Sequence, residues 1–186
     1  MLHRGFWAAV LIIGVVSIVQ AKSQRTALNS IYAEGLGPGL LYSVNYERLV
    51  MNDLGVRLGL SYTSLSATAN DGMSSTTGTV TFMTFPLTAS YLGVSSGSHA
   101  LELGGGLTFI YVSGTVSGSN VAVSGSGLVA LENILMGYRF HPVNGGFQFR
   151  VGLSGLLGSG VGSSSSRKPN AFGFLPWFYI SLGGCF

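Results

Sequence analysis

Five charged side chains, Glu47, Arg57, Glu102, Arg139 and Arg150, are the residues of this sequence whose type and spacing could do chemistry. Each takes the inward parity of its strand, so all five would share one interior face. Carboxylates and guanidiniums confined together could form a hydrogen-bonded plug that governs slow ion leakage. A narrow interior favours the other outcome, a polar core satisfied within itself that transports nothing. Hydrolysis by Ser, His and an acid is not supported, because after residue 21 only His99 and His141 remain and both fall at short turns, away from the serine-rich loops. Ser163, Ser164, Ser165 and Ser166 read as a solvated low-complexity loop. Gly104-Gly105-Gly106 lacks the following helix and Lys-Ser/Thr of a phosphate loop, so clearance within a strand explains it better. Arg167 and Lys168 could meet polyanions but read as a solvated loop tip. The single cysteine, Cys185, has no intramolecular partner, and no metal-ligand spacing occurs, so neither metal nor cofactor is expected.

The elements that must position these charges alternate with period two. At the end of the sequence Phe178, Ile180, Leu182 and Phe186 take one parity, as in a lipid-facing barrel strand, and the final Phe resembles the terminal assembly signal of bacterial outer-membrane barrels. Residues 31–37 are the faintest strand. A Gly37-Pro38-Gly39 turn leads to a strand with Leu40, Tyr42, Val44 and Tyr46 on one face, and Val56, Leu58, Leu60 and Tyr62 mark the next. Residues 79–92 hold one register if Pro86 sits at a bulge or unpaired position. Leu101, Leu103, Leu107, Phe109 and Tyr111 face outward on the strand after that. In residues 128–140 both parities are apolar and Glu132 conflicts with Arg139, which a bulge near Asn133 would repair. Phe147, Phe149, Val151 and Leu153 then oppose Gln148, Arg150, Gly152 and Ser154. The pattern gives about eight strands, with short turns at 51–54, 93–98 and 141–146 on the periplasmic side and long loops at 64–77, 113–126 and 158–173 on the extracellular side.

Composition demands closure of this sheet. Hydrophobic residues make up 47% and mean hydropathy is +0.49, while charged residues are only 8%, against roughly 25% in soluble domains. Beyond residue 21, Gly, Ser, Thr and Asn interrupt every apolar run before it reaches the ~20 residues of a transmembrane helix. A sheet with lipid on one face must have no open edge in hydrocarbon. The expected fold is therefore all-β, a closed antiparallel transmembrane β-barrel over residues 22–186. It is preceded by a cleavable signal peptide at 1–21: His3 and Arg4, an apolar run at 6–19, and Val19-Gln20-Ala21. A retained membrane anchor is the alternative for that segment. No Cys follows Ala21, which disfavours a lipoprotein anchor. The formal charge of +3 says nothing about nucleic acid, and none is expected as partner.

Tyr42-Ser43-Val44-Asn45-Tyr46-Glu47-Arg48, Phe85-Pro86-Leu87, His99-Ala100-Leu101-Glu102-Leu103-Gly104, Gly137-Tyr138-Arg139-Phe140 and Gly145-Gly146-Phe147 resemble the small bacterial outer-membrane β-barrel proteins with an outer membrane protein β-barrel domain. The resemblance spans nearly all of residues 22–186. It implies a fold and an outer-membrane location, with lipid and the barrel assembly machinery as partners; it implies no reaction, no site residues and no defined surface ligand. The expected role is structural or surface-interacting, without catalysis. A narrow channel or small apolar-ligand conduit is the second reading. A lipid-modifying barrel enzyme is the third, and a soluble lipocalin-type barrel is disfavoured by the scarcity of charge and the outward aromatics.

Overall fold

Period-two alternation becomes eight strands in a computed structural model, which describes residues 24–71, 74–118, 121–159 and 172–186. The strands are β1 (Asn29–Leu36), β2 (Tyr42–Met51), β3 (Leu54–Asn70), β4 (Ser75–Ser96), β5 (His99–Gly118), β6 (Val121–Phe140), β7 (Gly146–Ser159) and β8 (Phe172–Cys185). Each pairs antiparallel with its neighbour in sequence, and β8 returns to β1, so the barrel is closed. Closure leaves no edge among the paired segments, which satisfies the backbone without water. The segment expected as signal peptide, and Ser163 to Ser166 with Arg167 and Lys168, lie outside the described residues.

Outward residues form an apolar belt. On β5 it runs from Leu101 to Tyr111, about 34 Å along the strand and about 25 Å high at the ~40° tilt of such barrels, which matches a bilayer's hydrocarbon. Phe178, Ile180, Leu182 and Phe186 all face outward on this belt or its rim and are about half exposed or more. The short turns fall together at one end of the barrel, as expected, but residues 93–96 prolong β4 and leave Gly97 and Ser98 as the turn.

Three local expectations need correction. Leu40 is not a strand residue: it has φ 72° and follows the Gly37–Gly39 turn. No bulge forms near Asn133, because β5 and β6 pair without a break from His99↔Phe140 to Gly118↔Val121. Glu132 accordingly faces outward and is exposed, while Leu131, Asn133 and Leu135 face inward. The inward leucines fill space that glycines leave open, Leu135 lying against Gly104, so apolar residues on both parities need no register shift. Pro86 sits unpaired on its β3 side, where the ladder lapses between Leu58↔Leu87 and Ser61↔Thr84 with register unchanged. The irregularity of β4 lies instead between Tyr91 and Val94; it turns Leu92 inward onto Leu49 and Ala100. Gly104, Gly105 and Gly106 are strand residues, and a Cβ on Gly106 would strike the Leu87 carbonyl.

The third correction concerns the long loops. Residues 64–70, 75–77, 113–118 and 121–126 are not loops but continuations of β3, β4, β5 and β6. The four strands rise about seven residues, ~24 Å along the strand, past the rung of Tyr62, Met83, Tyr111 and Leu128. Above that rung the polarity inverts. The outer face carries Ser64, Thr81, Ser113 and Ser126, then Ser66, Thr79, Thr115 and Ser124, with hydroxyl bonds across β3 and β4 at Ser66–Thr79 (2.9 Å) and Thr68–Thr77 (3.0 Å). The inner face carries Leu65, Val80, Val116 and Val123. Water outside the belt reverses which parity should be polar, so a strand continuing into water looks like a loop to a search for lipid-facing alternation.

Candidate functional site

The strands of a barrel this narrow point their inward side chains at one another, and the five charged residues meet there. Arg57, Arg139 and Arg150 are buried together with Glu47 and Glu102. A sixth member, Glu34, comes from β1. Arg139 donates to both carboxylate oxygens of Glu47, at 2.9 Å and 2.6 Å, and to Glu102 at 2.9 Å. Arg150 is bidentate on Glu102, with Nε 2.9 Å from Oε2 and Nη2 against Oε1, and lies 3.7 Å from Glu47. Arg57 sits beside Glu47 in the ladder but pairs instead with Glu34, at 2.8 Å. Three guanidiniums thus balance three carboxylates.

Aromatic residues complete the layer. Tyr32 donates to Glu47 at 3.3 Å, and the Arg150 guanidinium lies 4.6 Å from the centre of its ring. Tyr179 donates to Glu102 at 3.5 Å. Tyr179 was missed by sequence reading, and so were Glu34 and Tyr32 on β1. Their signal was present, since Ser30, Tyr32 and Glu34 alternate with Ile31 and Ala33, but eight residues ending in glycine-rich turn sequence make a short pattern.

Two further layers close the lumen. At the raised end the Gly37–Gly39 turn folds inward: Thr84 donates to the Gly39 carbonyl and Thr108 to that of Pro38, both at 3.1 Å, and the Trp177 indole donates to the Leu40 carbonyl at 3.3 Å. Leu36 and Leu40 flank the turn with φ 61° and 72°, a strain of roughly 1–3 kcal/mol each that these bonds offset. At the other end residues 24–28 cross the mouth. Thr26 and Ala27 donate their amides to the Val143 carbonyl, at 2.9 Å and 3.1 Å, and Arg25 reaches the His141 carbonyl at 2.7 Å.

Both histidines beyond residue 21 lie at the end of the barrel that carries the short turns. His99 opens β5 and shares a 2.6 Å hydrogen bond with the Tyr138 hydroxyl. His141 is buried with Nε2 3.0 Å from the Ala27 carbonyl. Cys185 is a buried strand residue whose sulfur faces the Gly146 and Pro142 carbonyls. Burial, helped by the nearby Arg139 and Arg25 charges, pushes the His141 imidazole down to about 4. The unfolded chain, with an ordinary imidazole near 6.5, therefore takes up a proton first as pH falls. Stability is full above that value and is lost as pH drops towards 4. Urea unfolding of the refolded barrel should show about 2 kcal/mol lost between roughly pH 6.5 and pH 5. His141→Asn should remove that slope; an equal slope in the variant would assign it elsewhere.

No family model matches the chain, and no curated protein matches it. Solved structures do. Acinetobacter baumannii CarO is similar at 11% identity with TM-score 0.51, over 86% of this chain and 97% of CarO. The N-terminal β-barrel domain of Pseudomonas aeruginosa OprF is 18% identical with TM-score 0.49, over 87% of this chain and 98% of that one. The Yersinia pestis attachment invasion locus protein Ail, solved with the heparin analogue sucrose octasulfate, is 14% identical with TM-score 0.48, over 86% and 98%. All three are bacterial outer-membrane barrel proteins. The fold is that of a small outer-membrane β-barrel. At such identity the likeness reaches the architecture alone, so the roles of the luminal charges rest on their own geometry.

Proposed function

We propose that this chain is an integral outer-membrane barrel that is closed to ions and serves as an anchor, holding the raised β3 to β6 sheet outside the cell as a surface for interaction. The observation that carries the reading is the three-layered lumen: residues 24–28 at one mouth, the six-residue ion network in the middle and the Gly37–Gly39 turn at the other mouth. A leak would have to pass all three. The outer-membrane location is supported by the apolar belt, by the export signal expected in residues 1–21 and by the barrel neighbours.

Planar-bilayer recording tests closure. The refolded chain should give no discrete conductance steps, and reproducible ohmic steps would favour the channel reading. A protease site inserted between Gly118 and Val121 should be cut from outside intact cells, whereas one at residues 142–145 should be protected. The reverse pattern would invert the orientation and with it the surface role.

A further inference from the structure

We infer that the raised mouth of the barrel holds a binding site for one small uncharged hydrocarbon, an aromatic ring or short alkyl chain. The inference rests on the closed-anchor reading and adds a ligand class to it. β2 stops at Tyr42 while β3 continues to Asn70, so a notch opens beside the inward-folded Gly37–Gly39 turn. A pocket of about 190 Å³ occupies the notch, walled by Leu40, Leu41, Leu65, Phe82 and Trp177. Its walls come from both sides of the barrel: Leu41 is half exposed on the outside, and Thr84 and Ser61 are buried inside. The site therefore adjoins both the top of the apolar belt and the apolar inner face of the raised sheet.

The wall chemistry selects the ligand. Among the described residues no charged side chain lines the pocket. The Thr84 hydroxyl is committed to the Gly39 carbonyl and the Trp177 indole N–H to that of Leu40, leaving the Ser61 and Thr63 hydroxyls as the remaining polar side-chain groups. An ion or a ligand rich in acceptors would lose its hydration without replacement. A hydrocarbon loses nothing. The volume is close to that of a cavity of ~150 Å³ known to take benzene, and too small for a multi-chain lipid.

Trp177 reports on the site directly. The chain carrying Trp7→Phe has Trp177 as its one tryptophan, and it is refolded into phosphatidylcholine vesicles and titrated with the heavy-atom quencher 1-bromooctane. Quenching should saturate. Leu65→Asp, at a position 58% exposed where a charge leaves the barrel intact, should weaken it roughly tenfold or more, and Phe178→Ala on the belt should not. Quenching that rises linearly with probe per lipid, or that Leu65→Asp leaves unchanged, would overturn the site. Quenching by dibromo-acyl phosphatidylcholine that Leu65→Asp relieves, with none that saturates from 1-bromooctane, would overturn it in favour of a lipid chain. The heat-modifiable gel band and silence in planar bilayers are recorded on the same samples, so failure of the closed-anchor reading is seen separately.

Discussion

Arg139→Ala should lower the stability of the refolded barrel by roughly 3–5 kcal/mol, because it strips the shared guanidinium from two buried carboxylates at once. Glu47 would keep only Arg150 at 3.7 Å and the Tyr32 hydroxyl at 3.3 Å. Arg150→Ala should cost a similar amount through Glu102, and Arg57→Ala through Glu34. Urea midpoints measured from lipid vesicles read these losses. The paired variant Arg57→Met with Glu34→Leu should recover much of what Arg57→Ala loses, since a buried ion pair is worth little over an apolar pair while one orphaned charge is costly. Unchanged midpoints for all three single variants would mean that water fills the lumen and screens the charges.

Those six residues also mark how far the sequence could be read. Parity alone put Glu47, Arg57, Glu102, Arg139 and Arg150 on the inner face, and the barrel brings all five together. Partner choice was not legible. Glu47 and Arg57 are directly paired in the ladder, yet Arg57 turns to Glu34 on β1 while Arg139, reaching across from β6, takes Glu47. Backbone register fixes which face a side chain joins; long side chains on a narrow lumen choose partners by reach across it. The Gly37-Pro38-Gly39 turn was likewise visible as a turn, but nothing local says that it folds inward. That outcome depends on Thr84, Thr108 and Trp177, which are 45 to 137 residues distant and supply the donors for its carbonyls.

The raised sheet was misread for a different reason. Strands were sought through outward apolar residues, a rule that holds only where the outside is lipid. Beyond Tyr62, Met83, Tyr111 and Leu128 alternation continues with the faces exchanged, as in Thr77-Gly78-Thr79-Val80-Thr81. The boundary between the two patterns is itself informative. It marks, within a residue or two on each strand, where the belt ends.

Gly183→Val should prevent the barrel from closing, the largest effect expected from any single added side chain at the seam. β8 meets β1 in register from Ser30↔Cys185 to Leu36↔Tyr179, and Asn29 and Phe186 exchange backbone bonds of 2.9 Å and 2.8 Å beyond it. Gly183 stands opposite Tyr32 on one side and Gln148 on the other. A Cβ there would strike the Ile31 carbonyl and the Tyr32 backbone, and Tyr32 cannot move aside because it bonds Glu47 and lies under Arg150. An unclosed seam leaves unpaired amides and carbonyls in hydrocarbon, at several kcal/mol for each. Gly183→Val should therefore lose the compact, heat-sensitive gel band both in cells and when refolded into vesicles. Phe186→Asp provides the contrast. Its side chain is 62% exposed at the belt's rim, where an Asp costs about 0–1 kcal/mol by partitioning alone. In vitro refolding should accordingly be near normal. If the aromatic ring is read by the assembly machinery, Phe186→Asp should nonetheless be degraded in the periplasm, while Phe186→Tyr assembles normally. Full outer-membrane levels of Phe186→Asp would remove that role, and a normal folded band for Gly183→Val would mean that the β8 to β1 seam is not formed as described.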